Sequence, residues 1–581
     1  MSITETLEWK LLQEHFDTDL ADKKIGELFQ DKHRFKDLCF SFAQLSIDFS
    51  KQKLDKKSFK LLIELANKMN LTDAINALVS GEVVNTTEKR SALHTALRGN
   101  LFEEHNALIL DDIDIHQSVK QQLDNMSTMV NKLTLGQWRG YSGKPITDVV
   151  NIGVGGSDLG PLLVCEALDE YKVNPKNPIN VHFASTMDGS QVSHLFSELN
   201  PETTLFIIVS KSFGTIDTLA NASSAKDWLL GFCSDETIVT KQHFIGISTN
   251  DQKMEQWGIA KDARLKLWDW VGGRFSLWST VGLTIALKIG MDGFLELLKG
   301  AHELDEHFHS SDLESNLPVL LGLVGVWNSN FLKIKAQAIL PYDARLKFFP
   351  SYLTQLEMES NGKSVTLEGI KLDYESCPVL WGEIGPNAQH AFYQLLHQGT
   401  RRVACDFIAP IKRFSNDFGK HQASLHEQHK LTLANCFAQS RALMLGSQTE
   451  RPEVTDKKSI DLIDLDQIDL DQIDLDQIDI DQIDLAHRYY PGDQPSTTIL
   501  IEKLTPNTLG KLIALYEHKV FVMATIWNIN PFDQWGVELG KEMAEDALVA
   551  LKSEKEVTDF DASTNGLMNL VKASSYGSDS K

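Results

Sequence analysis

Ile146-Thr-Asp-Val-Val-Asn-Ile-Gly153 opens the series of segments that decides the fold. It is a short β-rich run ending in a glycine turn. Three runs of the same kind follow: Ile179-Asn-Val-His-Phe-Ala-Ser185, Thr203-Thr-Leu-Phe-Ile-Ile-Val-Ser210 and His243-Phe-Ile-Gly-Ile-Ser-Thr249. Their starts lie roughly 25–40 residues apart, the length a βαβ unit needs to hold its crossover helix. The pattern predicts an α/β fold with a parallel sheet and helices on both faces. A second series begins near residue 335 with Ala336-Gln-Ala-Ile-Leu-Pro-Tyr342, Pro378-Val-Leu-Trp-Gly-Glu-Ile-Gly385 and Arg402-Val-Ala-Cys-Asp-Phe-Ile-Ala-Pro410. Two α/β domains of similar type are therefore expected. Residues 1 to about 125 read as helices, with apolar positions three and four apart in 61–80 and a stop at Gly81. The chain from about residue 510 reads as helical again.

Composition narrows the classes. The 581 residues carry 56 Lys and Arg against 80 Asp and Glu, for a net charge of −24. A nucleic-acid protein would show a basic surface instead. Ten of those acids fall within 460–485, so the rest of the chain is nearer −14. There the pentapeptide Ile-Asp-Leu-Asp-Gln occurs three times from Ile463, followed by Ile-Asp-Ile-Asp-Gln. A period of five matches neither helix nor strand, and four copies are too few for a stacked solenoid. Paired Asp residues could weakly attract divalent cations. The plainer reading is an inert tandem duplication in a surface loop. Six scattered cysteines form no C-x-x-C pair, as suits a reducing cytoplasm. The first residues lack a signal-peptide pattern, and the longest apolar run, 318–327, is about half a membrane span. A cytoplasmic protein with no membrane or nucleic-acid partner is expected.

Six segments could carry chemistry. Asn151-Ile-Gly-Val-Gly-Gly-Ser-Asp-Leu-Gly160 follows a strand and lets backbone approach a ligand, with Gly156 and Ser157 at its centre. It lacks the third glycine of a dinucleotide fingerprint, and a plain strand-to-helix turn reads equally well. Ser210-Lys211-Ser212-Phe213-Gly214-Thr215 offers three hydroxyls and a cation ahead of a helix, either a phosphate cradle or ordinary capping. In 268–282, Gly272 and Gly273 set Arg274 on a tight backbone, where it could hold an oxyanion or make a salt bridge. In 355–363, Gln355 and Glu359 share a helix that ends at Asn361-Gly362, with Glu359 in the last turn and available as a general base. His390 follows a Gly-Pro turn and is expected in a helix's first turn. Gln534, Glu538 and Lys541 are spaced to share one helix face.

Together these segments resemble the glucose-6-phosphate isomerase family, over nearly the whole chain apart from the repeat. The stretches Val271-Gly-Gly-Arg-Phe-Ser-Leu-Trp-Ser-Thr-Val-Gly-Leu283 and Pro531-Phe-Asp-Gln-Trp-Gly-Val-Glu-Leu-Gly-Lys541 carry the resemblance, supported by 358–363 and 387–400. It implies two sugar-isomerase (SIS) domains, each a three-layer αβα sandwich. The expected division is a helical segment 1–125, SIS domains at 126–290 and 291–515 (the second holding the repeat), and a helical arm 516–581. It implies interconversion of glucose 6-phosphate and fructose 6-phosphate, in glycolysis and gluconeogenesis, by a homodimer using no metal or organic cofactor. Glu359 would move the proton between carbons 2 and 1. His390, from the partner subunit, and Lys541 would serve ring opening, and Arg274 would stabilise the enediolate. Ser210, Lys211, Ser212 and Thr215 would hold the phosphate, with Gly156, Ser157, Gln355 and Gln534 completing the site. The chain departs from the usual pattern at Ser212, Gly214 and Asp217, where the family has Thr, Thr and Glu, and in 487–495. A sugar-phosphate-sensing SIS regulator would need no such catalytic set and usually carries a basic DNA-binding domain. An SIS amidotransferase would need a nucleophilic cysteine at its start. Deleting residues 463–485 should leave turnover and dimerisation unchanged, and a large loss of either would overturn the inert reading of the repeat.

Overall fold

Asp148–Ile152 forms the strand its sequence predicts, and it lies inside a five-stranded, all-parallel sheet. The strand order is Asn180–Ala184, Asp148–Ile152, Thr204–Val209, Phe244–Ser248 and Arg264–Lys266. Every residue of Thr204–Val209 is buried. That continuous apolar run is the mark of a strand covered on both faces. The computed structural model describes residues 2–99, 101, 107–173, 178–413, 421–447 and 486–576. The pentapeptide repeat at 463–485 lies outside the described residues.

The second sheet has six strands and is mixed. Val379–Gly382, Ala336–Pro341, Ala404–Lys412 and Ser496–Lys503 run parallel. Beyond them, Leu45–Asp48 pairs antiparallel with Ser496–Lys503, and Cys39–Phe42 closes the edge as its hairpin partner. Residues 1–125 are therefore not purely helical as expected, because this hairpin extends the second sheet. Leu45 and Ile47 are buried while Ser46 and Asp48 are partly exposed, the alternation of a strand with one face on the core. The α/β class with parallel sheets stands.

Two compact units divide the chain, Met1–Pro531 and Phe532–Lys581. Both sheets belong to the first. The apolar run at 318–327 is part of the helix Leu317–Asn330, all of whose residues are buried. A helix apolar all round is a core helix. Next to it runs Pro506–Ile526, likewise buried along almost its entire length. This helix crosses the expected boundary at 515/516 without a break. The second unit is helical, with Glu538–Lys552 and Ala562–Tyr576.

The core helix Pro506–Ile526 carries three consecutive ionisable residues, each with its own buried partner. Glu517 accepts from Arg98 Nη1 at 2.7 Å and from Trp278 Nε1 at 2.8 Å. His518 Nε2 meets Asp305 Oδ1 at 2.7 Å. Lys519 Nζ donates to Glu357 Oε2 at 2.8 Å and to Gln337 Oε1 at 3.2 Å. Burial works against the Asp305 charge, but the Arg98 guanidinium and the His518 ring hold its carboxyl well below the ordinary range. Removing one partner of a buried pair strands the other charge. Lys519→Met should therefore cost about 3–5 kcal/mol of unfolding free energy, read by chemical denaturation. A variant with wild-type stability would show that the pair is dispensable.

Candidate active site

The loops that leave the carboxyl ends of the first sheet's strands build the site, as open α/β sheets dictate. Strand Asp148–Ile152 runs into the short turn Gly155–Ser157. Gly155 has φ +58°, and a Cβ there would lie 2.8 Å from Gln355 Nε2. Gly156 lies so close to the carbonyl of Gly273 that no side chain fits between them. Glycine at 155 and 156 thus lets this loop touch both the Gln355 helix and the Gly272-Gly273-Arg274 turn. The Ser276 hydroxyl donates to the Gly156 carbonyl at 3.4 Å. Next in the chain, Asp158 is buried, and burial pushes its carboxyl up to about 7.

The neighbouring strand Thr204–Val209 delivers Ser210 to Thr215. Ser210 Oγ and Thr215 Oγ1 lie 3.1 Å apart. Thr215 precedes the helix Ile216–Leu230 but makes no side-chain cap bond, so ordinary capping does not occupy its hydroxyl. The helix's first N–H groups are thus left facing the loop without a side-chain acceptor, an arrangement that favours an anion. Lys211 Nζ donates to the carbonyls of Asp269 at 2.9 Å and Val271 at 2.8 Å. Burial, helped by the Arg90 charge, lowers its ammonium to about 8.

Arg274 is the hub. It is 2% exposed. Its Nε donates to Ser360 Oγ at 2.6 Å and its Nη2 to the Pro531 carbonyl. Its Nη1 stands 3.4 Å from Glu359 Oε1. Glu359 is partly exposed, at 22% of its side chain, so it can meet a ligand while its base is held. The helix Phe349–Asn361 ends just beyond it, as the Asn-Gly pair predicts. Gly362 closes that helix at φ −72°, without the left-handed turn a C-cap glycine often makes. Lys363 Nζ caps the free carbonyls of Glu359 and Ser360, at 2.9 and 2.7 Å.

The structure thus brings together Gly156, Ser157, Gln355, Arg274 and Glu359, and ties the Ser210–Thr215 loop to the same turn through Lys211. Ser360 and the Pro531 carbonyl are positioning groups that sequence reasoning missed. Ser360 lies inside the motif that drew attention to Glu359, which was its only signal. No hydrogen bond or ion pair among the described residues links the His390 side chain to this cluster. His390 follows the single turn Gly385–Ala388 and is exposed, and its ring makes no hydrogen bond to a described residue. Gln534 and Lys541 belong to the second compact unit. There the helix face predicted for Gln534, Glu538 and Lys541 forms only for the last two. Gln534 precedes the 3₁₀ turn Trp535–Val537, and the helix starts only at Glu538. Lys541 pairs with Glu538 at 2.9 Å.

The phosphoglucose isomerase family model matches residues 48–568. A glucose-6-phosphate isomerase of Hydrogenovibrio crunogenus is 50% identical over 98% of this chain and 100% of its own length. One of Psychrobacter cryohalolentis is 53% identical over 94% of this chain and 93% of its own. The crystal structure of a glucose-6-phosphate isomerase from Chlamydia trachomatis superposes with a TM-score of 0.80 at 26% identity, covering 99% of this chain and 100% of that one. With the motifs, the sheets and these relatives in agreement, the chain belongs to the phosphoglucose isomerase family.

Proposed function

We propose that this chain interconverts glucose 6-phosphate and fructose 6-phosphate, the aldose–ketose step shared by glycolysis and gluconeogenesis. The observation that carries the reading is the Arg274–Glu359–Ser360 cluster. It sets a solvent-accessible carboxylate beside a buried guanidinium, with a glycine-lined loop and a hydroxyl-rich loop next to it.

The chemistry needs the ring opened, then a carbon-bound proton moved, and each step has a group suited to it. His390 and Lys541 transfer protons to and from the ring oxygen and the adjacent hydroxyl. Glu359 removes the proton from carbon 2 of the open aldose and returns it to carbon 1, forming the ketose. The negative charge that develops on the oxygens between these steps faces Arg274. Because Ser360 and the Pro531 carbonyl already fix that guanidinium, it need not reorganise as the charge appears. Ser210, Ser212, Thr215 and the start of the helix Ile216–Leu230 hold the phosphate, with the buried Lys211 adding positive charge. This remote handle orients the reacting carbons. Gly156, Ser157, Gln355 and Gln534 complete the sugar's surroundings.

The chain acts as a homodimer, with His390 donated across the interface. In support, His390 is exposed and unengaged within its own chain's described residues. The second unit also exposes Leu539, Met543, Val549, Leu567 and Leu570, apolar side chains that a second copy of the chain could cover. No helix among the described residues is long and apolar enough to cross a membrane. All six cysteines are free, which supports a reducing cytoplasm.

In a coupled assay from fructose 6-phosphate, Glu359→Gln should lower kcat by roughly 10²–10⁴-fold with a smaller change in KM. Equal activity in variant and wild type would overturn the assignment of the base. Co-expression of Glu359→Gln chains with His390→Ala chains tests the exchange of His390. Each variant alone should be nearly inactive. The mixture should regain about a quarter of wild-type activity, because half the dimers are mixed and each holds one intact site. No recovery from demonstrably mixed dimers would place His390 in its own chain's site.

A further inference from the structure

We propose that Lys253 is a further phosphate-binding residue of this site, its ammonium held over the gap that Gly214 leaves in the Ser210–Thr215 loop. The inference rests on the reading of that loop as the phosphate subsite, and it names a contact which that reading does not contain.

The argument begins with what the loop lacks. Its own lysine is occupied, since the Lys211 ammonium is bonded to the carbonyls of Asp269 and Val271. The hydroxyls of Ser210 and Thr215 face each other. Gly214 presents no side chain. A Cβ placed on it would lie 3.2 Å from Lys253 Nζ and 3.5 Å from Ser212 Oγ. The ammonium and a cradle hydroxyl thus flank the same spot, and an anion oxygen seated there could meet both.

The position of Lys253 is built into the fold. The strand Phe244–Ser248 adjoins Thr204–Val209, so the loops after the two strands lie side by side. One carbonyl ties them. Lys211 O accepts from Ser248 Oγ at 2.8 Å, from Thr249 Oγ1 at 2.9 Å and from Thr249 N at 2.9 Å. Asn250 then caps the next helix by accepting from Lys253 N at 2.9 Å, which fixes where the Lys253 side chain starts. Among the described residues, no carboxylate lies within ion-pairing distance of its ammonium. Its ammonium is therefore not drawn away by a carboxylate, and a phosphate contact of this kind is charge-assisted.

The test uses the full-length chain at low ionic strength, where screening is weakest. Lys253→Met should raise KM for fructose 6-phosphate about fivefold to tenfold and weaken competitive inhibition by inorganic phosphate by a similar factor. The fall in kcat should be clearly smaller. Lys253→Arg should restore most of both, and Lys241→Met, a surface lysine on another helix, should change neither. A Lys253→Met enzyme that turns over with wild-type KM and wild-type phosphate inhibition would overturn the proposal and leave the isomerase reading intact. If the wild-type chain itself fails to isomerise, the activity reading is what fails. Calorimetric titration of both proteins with inorganic phosphate then decides Lys253, with weaker binding in the variant supporting it and equal binding overturning it.

Discussion

Three adjacent ionisable residues inside a core helix constrain everything around them. Glu517, His518 and Lys519 project about 100° apart around their helix, so no single partner can serve two of them. Each unsatisfied charge in that interior would cost several kcal/mol, which makes the three partners obligatory rather than optional. Those partners come from distant parts of the chain: Arg98 and Trp278 for Glu517, Asp305 for His518, and Glu357 for Lys519. The Arg98 guanidinium also lies over the Trp278 ring, 4.4 Å from its centroid.

This constraint reaches the chemistry by short steps. Glu357 is buried and tied to Lys519. Two residues further along the same helix, Glu359 emerges partly exposed beside Arg274. Trp278, fixed by Glu517, lies four residues after Arg274. Glu359 and Arg274 are thus each anchored through a neighbour held by the same helix. The arrangement places Glu359 and Arg274 on elements tied to the core helix by buried bonds. It also lets Glu359 stay partly exposed without being loose. Arg274 receives a second fixing from Ser360, so its two directional bonds and its distance to Glu359 are set together.

Much of this was legible before the structure. The central parallel strands Thr204–Val209 and Phe244–Ser248 announced themselves because they are covered on both faces and so read as unbroken apolar runs. The glycine-rich loops, Arg274 and Glu359 were legible because each sits in a short stretch of unusual composition. The edge hairpin was harder to see. Cys39–Phe42 is short and not fully buried, and its hairpin partner Leu45–Asp48 joins the sheet only through a strand more than 450 residues later in the chain. Yet Leu45-Ser-Ile-Asp48 does alternate with period two, a signal present in the sequence and outweighed by its helical surroundings. Ser360, the Pro531 carbonyl and Lys253 were invisible for a different reason. Their part depends on where one atom lands in space, and neither composition nor spacing encodes that.

The place of Ser496–Lys503 in the second sheet bears on how the protein is made. This strand sits between the N-terminal hairpin and Ala404–Lys412, so the hairpin has nothing to pair with until residue 503 has left the ribosome. At roughly 5–20 residues per second, the wait after Asp48 emerges is on the order of 20 to 90 seconds. The charged partners of the core helix wait as long, because residues 517–519 follow directly. The first sheet has no such dependence, since all of its strands lie between Asp148 and Lys266. The nascent chain can therefore assemble one sheet early, while its opening hairpin waits for its place in the second sheet until synthesis is nearly finished.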